Sequence, residues 1–170
     1  FMCALKNNLK SGNQTLVPGP AVEMKPFDMR FCDFPVLSEL ALTYRCNLKC
    51  VFCYAGCNRA ANPVGEAQEM SSDQVRRVIR TIFEDAKAPS ISFTGGEPAL
   101  IADLPAHVAF AKQLGMRANL ITNGTLIDAD YARTLVDHGL DSVQVSVEAP
   151  DAGIHDRIVG RPGAFAKSVA

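Results

Sequence analysis

The feature that most constrains the fold is the alternation of short apolar runs with helical patterns from residue 36 onward. The runs at 37–43, 90–94, 117–122 and 142–148 are each short enough for a β-strand. Repeated strand-helix-strand units favour right-handed crossovers between parallel neighbours. The sequence therefore predicts an α/β fold with a parallel sheet, either open or curled towards a (β/α) barrel.

Helices are predicted between and after these strands, over 72–87, 102–114 and 129–138. Ser71 or Ser72 offers an N-cap to the first helix, and a glycine directly follows each of the other two. Every polar motif of the chain then comes after the end of a strand. In parallel α/β sheets and barrels this is the edge that carries the active site.

The fourth predicted strand alternates in polarity, which is unusual for a parallel strand because such strands are normally apolar on both faces. Val143, Val145 and Val147 point one way, while Gln144, Ser146 and Glu148 point the other. An edge strand with one wet face would explain this pattern. Since the first strand alternates in the same way, we favour a concave polar interior that holds a ligand.

Composition excludes several classes of protein. The 170 residues carry 17 basic and 18 acidic side chains without a long basic block, so we expect neither nucleic acid nor a membrane surface as a partner. The sequence contains neither an apolar stretch of about 18 residues nor the pattern of an N-terminal leader. A chain of this length buries a core without disulfides. We therefore predict a cytoplasmic protein.

Four of the six cysteines lie in the segment TYRCNLKCVFCYAGC at 43–57. In a reducing compartment, clustered cysteines more often bind metal or do redox chemistry than form disulfides. Cys46, Cys50 and Cys53 form a C-x3-C-x2-C pattern, and three thiolates on one loop can hold three irons of a 4Fe-4S cluster. The fourth iron would then be open to another ligand.

Cys57 leaves a second interpretation open. As a fourth thiolate it would close the cluster, and the protein would be a non-catalytic electron carrier; we expect it instead to be a bystander thiol. A zinc-binding interaction module is a third possibility, although zinc usually takes four ligands in two separated pairs. Cys3 and Cys32 are expected to be isolated thiols.

The cysteine pattern, with Phe52 at the aromatic position, resembles the signature of the radical S-adenosylmethionine (radical SAM) superfamily. GGEP at 95–98 matches the family's GGE motif after the second strand, and the resemblance extends over residues 36 to about 165. TNGT at 122–125 and IHDRIVGRPGAF at 154–165 further resemble the SPASM-type peptide and cofactor maturases, which include anaerobic sulfatase maturases and heme-modifying relatives.

This resemblance implies a partial TIM-like barrel, of which about four β/α units are present, and two cofactors, a 4Fe-4S cluster and S-adenosylmethionine. It implies an enzyme that cleaves S-adenosylmethionine to a deoxyadenosyl radical, which abstracts hydrogen from a peptide or small-molecule substrate during peptide or heme-like cofactor maturation. A low-potential flavodoxin-like or ferredoxin-like protein would supply the electron. The particular substrate and the outcome of the reaction are not encoded in any motif.

The resemblance also implies the metal ligands, Cys46, Cys50 and Cys53, and a set of cofactor contacts. Gly95 and Gly96 would allow close backbone approach, and Glu97 would accept a hydrogen bond from the amino group of the ligand. For this motif, a plain turn is the alternative explanation.

The other implied contacts lie in the cysteine loop, directly after the third strand and at the end of the fourth strand. Ser146 is a natural donor to an anion and Glu148 a natural acceptor from hydroxyl groups. Asn123 would line the same pocket, unless it is only a turn residue, and Tyr54 would contact the adenine. We expect His155 to have a local structural role and identify no catalytic side chain.

The sequence divides into an irregular, proline-rich lead-in at 1–35 and a radical SAM core at 36–170. Because the family core usually has six β/α units, we expect the 170 residues to be part of a longer polypeptide. The later units and any C-terminal domain with auxiliary clusters would then lie elsewhere. Further residues or a partner would cover the open edge of the sheet.

Overall fold

The structure, a computed structural model, describes residues 35–57 and 69–170. The predicted lead-in, apart from Pro35, lies outside the described residues together with Cys3 and Cys32. Within the described ranges, no helix combines the length and apolar character that crossing a membrane requires.

Strands and helices alternate along the described chain. The strands are β1 (Ser38–Thr43), β2 (Ser90–Gly95), β3 (Arg117–Thr122) and β4 (Ser142–Val145). The helices are α1 (Ser72–Glu84), α2 (Leu104–Gln113), α3 (Ala129–Asp137), α4 (Ala152–Val159) and α5 (Ala164–Ser168), and a 3-10 turn at Pro98–Leu100 follows β2. All strand pairs are parallel, in the order β1-β2-β3-β4, so the predicted α/β architecture is confirmed.

Local sequence determines the helix boundaries. Ser71 caps α1, since its hydroxyl accepts from the Gln74 N–H at 3.3 Å and the Gln74 side chain accepts from the Ser71 N–H at 2.7 Å. The predicted glycine stops after α2 and α3 are confirmed: Gly115 and Gly139 have φ of 88° and 92°. The predicted region 72–87 ends early as a helix, at Glu84, because Lys87 adopts a φ of 52° and turns the chain towards β2.

The fourth strand is shorter than predicted. It ends at Val145 because β3 ends at Thr122 and offers no further backbone to pair with. The N–H of Ser146 makes the last ladder bond, to the Thr122 carbonyl at 3.0 Å. The helices α4 and α5 have eight and five residues, which is too short for periodicity to predict.

The two faces of the sheet differ in polarity. Leu40, Phe93 and Leu120 are in register and buried, and they form the core with apolar residues of α1 and α2. On the opposite face, Asn119 donates to the Ser92 hydroxyl and accepts from the Ser142 hydroxyl, both at 2.9 Å. A polar row therefore crosses the sheet.

The valines of β4 and the valine just after it lie on the apolar side but remain partly exposed. Val143, Val145 and Val147 keep 37–52% of their surface accessible. In the described sheet β4 pairs only with β3, so one flank of this strand lacks a neighbouring strand. The alternation of β4 thus reflects both a polar inner face and an edge position, the two explanations considered for it.

Acid sensitivity is expected at Asp141, whose carboxylate accepts from the Ala118 N–H at 2.8 Å and from the Lys112 ammonium at 2.7 Å. These contacts, Lys112 first, lower its pKa in the folded state. The stabilisation is therefore complete above the unfolded-state pKa and is lost as the pH falls towards the folded-state value. Asp141→Asn should lower the free energy of unfolding at pH 7 by about 1 kcal/mol, as measured by urea denaturation.

Between about pH 5 and pH 3, the free energy of unfolding should also fall less steeply for the variant than for wild type. Glu84→Gln is the matched control, because its exposed pair with Arg80 at 3.5 Å contributes little. Equal pH profiles for wild type and Asp141→Asn would contradict this account.

Candidate active site

A cavity of about 180 Å³ opens at the carboxyl ends of the strands. Of the ten predicted site residues, only Glu97 is not part of its lining. The others are Cys46, Cys50, Cys53, Tyr54, Gly95, Gly96, Asn123, Ser146 and Glu148. Sites that bury a small ligand usually measure about 300–1,000 Å³, so the described residues form one side of a site rather than a full enclosure.

The thiols of the cysteine loop face this cavity in the reduced state. Cys46, Cys50, Cys53 and Cys57 form no disulfide and are only partly exposed, and all of them line the cavity. Burial raises the pKa of Cys46, and burial together with the neighbouring thiols raises that of Cys50 to about 11. Cys46 and Cys50 therefore carry neutral thiols at pH 7, and a bound metal would be needed to deprotonate them.

The donor set fits an iron-sulfur cluster. In the described ranges, no three His, Cys, Asp or Glu side chains come close enough to ligate a single metal ion. A 4Fe-4S cluster places each thiolate on its own iron, so its cysteines need only surround a common volume. Cys46, Cys50 and Cys53 do so, because they lie around one cavity.

The cysteine loop is held against the turn after β2 by direct backbone contact. The N–H of Gly96 donates to the Thr43 carbonyl at 2.7 Å, and the N–H of Glu97 donates to the Arg45 carbonyl at 2.8 Å. A Cβ at Gly95 or Gly96 would lie 2.2 Å from the Thr43 oxygen or 2.1 Å from the Arg45 oxygen. Only glycine permits this approach.

Glu97 is fully buried, and its carboxylate is turned into the fold. One oxygen accepts from the Ala99 N–H at 3.0 Å and the Thr122 hydroxyl at 2.7 Å; the other accepts from the Asn123 N–H at 2.8 Å. Burial raises its pKa, and these bonds oppose that shift. The carboxylate thus joins the ends of β2 and β3, while its predicted contact with a ligand amino group stays a prediction.

Asn47, which no motif singled out, links the cysteine loop to the turn after β3. Its amide donates to the Thr125 hydroxyl at 2.8 Å and accepts from the Asn123 amide at 2.9 Å. Asn123 in turn accepts from the Thr125 N–H at 2.9 Å. The only available sequence signal was the position of Asn47 directly after Cys46.

The base of the cysteine loop carries an ion pair that the sequence did not reveal. Arg45 donates to both carboxylate oxygens of Glu69, at 2.8 and 3.0 Å, and the Thr43 hydroxyl donates to the same carboxylate. The Arg45 contact lowers the pKa of Glu69, so the pair is charged at neutral pH. It fixes the end of β1 to the chain just before α1.

Helix α4 supports the cysteine loop from the other side. The N–H groups of Lys49 and Val51 donate to the carbonyls of Val159 and Ile158, at 2.9 and 3.0 Å. Leu48, Val159 and Ala164 form a small buried cluster against Cys46 and Cys50. This support could not be predicted, because it depends on residues more than a hundred positions apart.

Comparison with known proteins identifies the family of the chain that carries this site. The model of the radical SAM superfamily matches residues 40–170. This chain belongs to the radical SAM superfamily. The predicted membership is thus confirmed. The match includes the cysteine loop and the carboxyl ends of all four strands, and it begins at Leu40, within β1.

Curated relatives include an Fe-coproporphyrin III synthase, a heme synthase and a peptide cyclase. The chain is 41% identical to Fe-coproporphyrin III synthase of Methanosarcina barkeri over 127 residues, 73% of this chain and 30% of that protein. It is 36% identical to AdoMet-dependent heme synthase of Nitratidesulfovibrio vulgaris, over 75% of this chain and 34% of the relative. It is 34% identical to PqqA peptide cyclase of Rhodopseudomonas palustris, over 79% of this chain and 34% of the relative. The chain thus spans about a third of the length of these relatives.

Solved structures support the fold. Streptococcus suis SuiB bound to S-adenosylmethionine superposes with a TM-score of 0.62 at 21% identity, over 79% of this chain and 29% of SuiB. SuiB bound to precursor peptide SuiA superposes with a TM-score of 0.65 at 17% identity, over 98% of this chain and 42% of SuiB. At these identities the similarity establishes a shared fold.

The close contact between the Gly96 and Arg45 backbones can be tested by substitution. Gly96→Ala should lower the free energy of unfolding by about 2 kcal/mol or more, because its Cβ would displace the Arg45 carbonyl. Urea denaturation measures the effect. Gly153→Ala is the control: it lies in α4, and its nearest new contact would be an Asp151 side-chain oxygen at 3.3 Å. If both variants unfold at the same urea concentration, the backbone contact does not have the importance assigned to it.

Proposed function

We propose that the protein is a radical SAM enzyme that cleaves S-adenosylmethionine reductively and abstracts hydrogen from a substrate. The observation that carries this proposal is the convergence of three thiols and the Gly95–Gly96 turn on one cavity. In a chain of this family, a cluster bound by that loop would lie beside the Gly95–Gly96 backbone, at the same cavity.

Cys46, Cys50 and Cys53 would hold a 4Fe-4S cluster. When bound and reduced, such a cluster would supply the electron needed to cleave S-adenosylmethionine to methionine and a deoxyadenosyl radical. The chain contributes binding and orientation. The loop is fixed by the Gly96 contact, by the Arg45–Glu69 pair and by α4, so the thiols are held in place before any ligand arrives.

The remaining cavity residues would orient S-adenosylmethionine. In the described part of the chain, the side chains of Ser146 and Glu148 make no hydrogen bond, although both line the cavity, so they are available to an anion and to hydroxyl groups respectively. Tyr54 is 92% exposed and free to cover an adenine ring. Glu97 would act mainly through Asn123, which it fixes by a backbone hydrogen bond.

We further propose a substrate from peptide or heme-like cofactor maturation. The names of the relatives support this, since they comprise an Fe-coproporphyrin III synthase, a heme synthase and a peptide cyclase. A low-potential flavodoxin-like or ferredoxin-like protein would be the electron donor. A reducing compartment such as the cytoplasm suits a loop whose cysteines form no disulfide.

The direct test is formation of 5′-deoxyadenosine. Anaerobically reconstituted protein, mixed with dithionite and S-adenosylmethionine, should release 5′-deoxyadenosine and methionine in equal amounts, measured by liquid chromatography. An iron-porphyrin precursor or a candidate peptide should raise the rate if it is the substrate. No product from protein that carries its full complement of iron would contradict the proposal.

Substitutions in the cysteine loop distinguish the proposed enzyme from a non-catalytic electron carrier. Cys50→Ala should lose most of the bound iron and all 5′-deoxyadenosine formation, because a cluster ligand is removed. Cys57→Ala is the matched control from the same cavity and should retain both within about twofold. Iron determination and the product assay measure the outcome. Loss of the cluster in Cys57→Ala, together with no cleavage by wild type, would favour the closed four-thiolate carrier.

A further inference from the structure

His155 is buried where the chain leaves β4, with 1% of its surface exposed. Its Nδ1 accepts a hydrogen bond from the N–H of Glu148 at 3.1 Å. While that bond exists, the neutral ring carries its proton on Nε2. Glu148 lies beyond the last residue that pairs with β3, so the imidazole replaces a neighbouring strand as the partner of this N–H.

The imidazole is itself firmly placed. His155 and Val159 are one turn apart on the buried face of α4, and Val159 accepts the Lys49 N–H of the cysteine loop. The Phe165 ring packs against the imidazole at 67° with 5.6 Å between ring centroids. His155 therefore ties Glu148 to the same helix that supports the thiols.

Stability alone does not account for a histidine here. Its Nε2 is buried without a hydrogen-bond partner among the described residues, which is a cost that an apolar side chain of similar size would avoid. The Glu148 side chain, in turn, has no hydrogen bond in that part of the chain to fix its direction. Its orientation therefore depends on its backbone, which His155 holds.

We propose that His155 is a positioning residue for ligand binding: by accepting the Glu148 N–H, it directs the Glu148 carboxylate into the cavity. This inference rests on the proposed function, because the ligand is S-adenosylmethionine and Glu148 is the acceptor for its hydroxyl groups. His155 does not contact the ligand and acts through Glu148.

The test compares S-adenosylmethionine binding by anaerobically reconstituted wild type, His155→Leu and His155→Asn, using calorimetry. His155→Leu removes the acceptor and should bind about tenfold more weakly, with unchanged iron content. His155→Asn should stay within about threefold of wild type, because its amide oxygen can occupy the position of Nδ1. If His155→Leu does not fold, His155→Gln, whose oxygen reaches further, should show the tenfold loss instead.

A double-mutant cycle distinguishes positioning from a general structural effect. In a Glu148→Ala background, the His155 substitution should cause no further loss of binding, since the carboxylate it directs is absent. An equal loss in both backgrounds, or binding by the His155 variant equal to wild type, would overturn the inference alone. If wild type with a full cluster does not bind S-adenosylmethionine, the proposed function is overturned with it.

Discussion

The site depends on one backbone contact, the approach of Gly96 to the end of β1. The Gly96 and Glu97 N–H groups donate to the Thr43 and Arg45 carbonyls, so the turn after β2 lies directly against the first residues of the cysteine loop. A side chain at either glycine would separate them by the width of a methyl group or more. This contact brings the thiols and the Gly95–Gly96 backbone to one cavity.

The polar residues around the cavity divide into two groups. Asn47, Asn123 and Glu97 use their side chains on other parts of the protein and join the ends of β1, β2 and β3. Ser146 and Glu148 line the cavity without such bonds in the described residues. Rigid connections thus support the ends of β1, β2 and β3, while the end of β4 presents side chains that can bind a ligand.

The sequence predicted the fold, the family and most residues that line the cavity better than the contacts that hold them in place. Strand-helix alternation was sufficient for the parallel sheet, and the cysteine spacing with GGEP was sufficient for the family. The Arg45–Glu69 pair and the pairing of Lys49 with Val159 could not be predicted, because no local pattern encodes contacts between distant residues. Glu97 shows the same limit: its motif was recognised, but its buried carboxylate and its bonds to Thr122 and Asn123 required the structure.

The central claim is that Cys46, Cys50 and Cys53 leave one iron of a 4Fe-4S cluster open to S-adenosylmethionine. Electron paramagnetic resonance of the reconstituted, dithionite-reduced protein tests it most directly, with spectra recorded before and after addition of S-adenosylmethionine. The account predicts a 4Fe-4S signal whose g-values shift when the ligand is added. A cluster signal that does not change with saturating ligand would contradict the account, because it would mean that all four irons already have protein ligands.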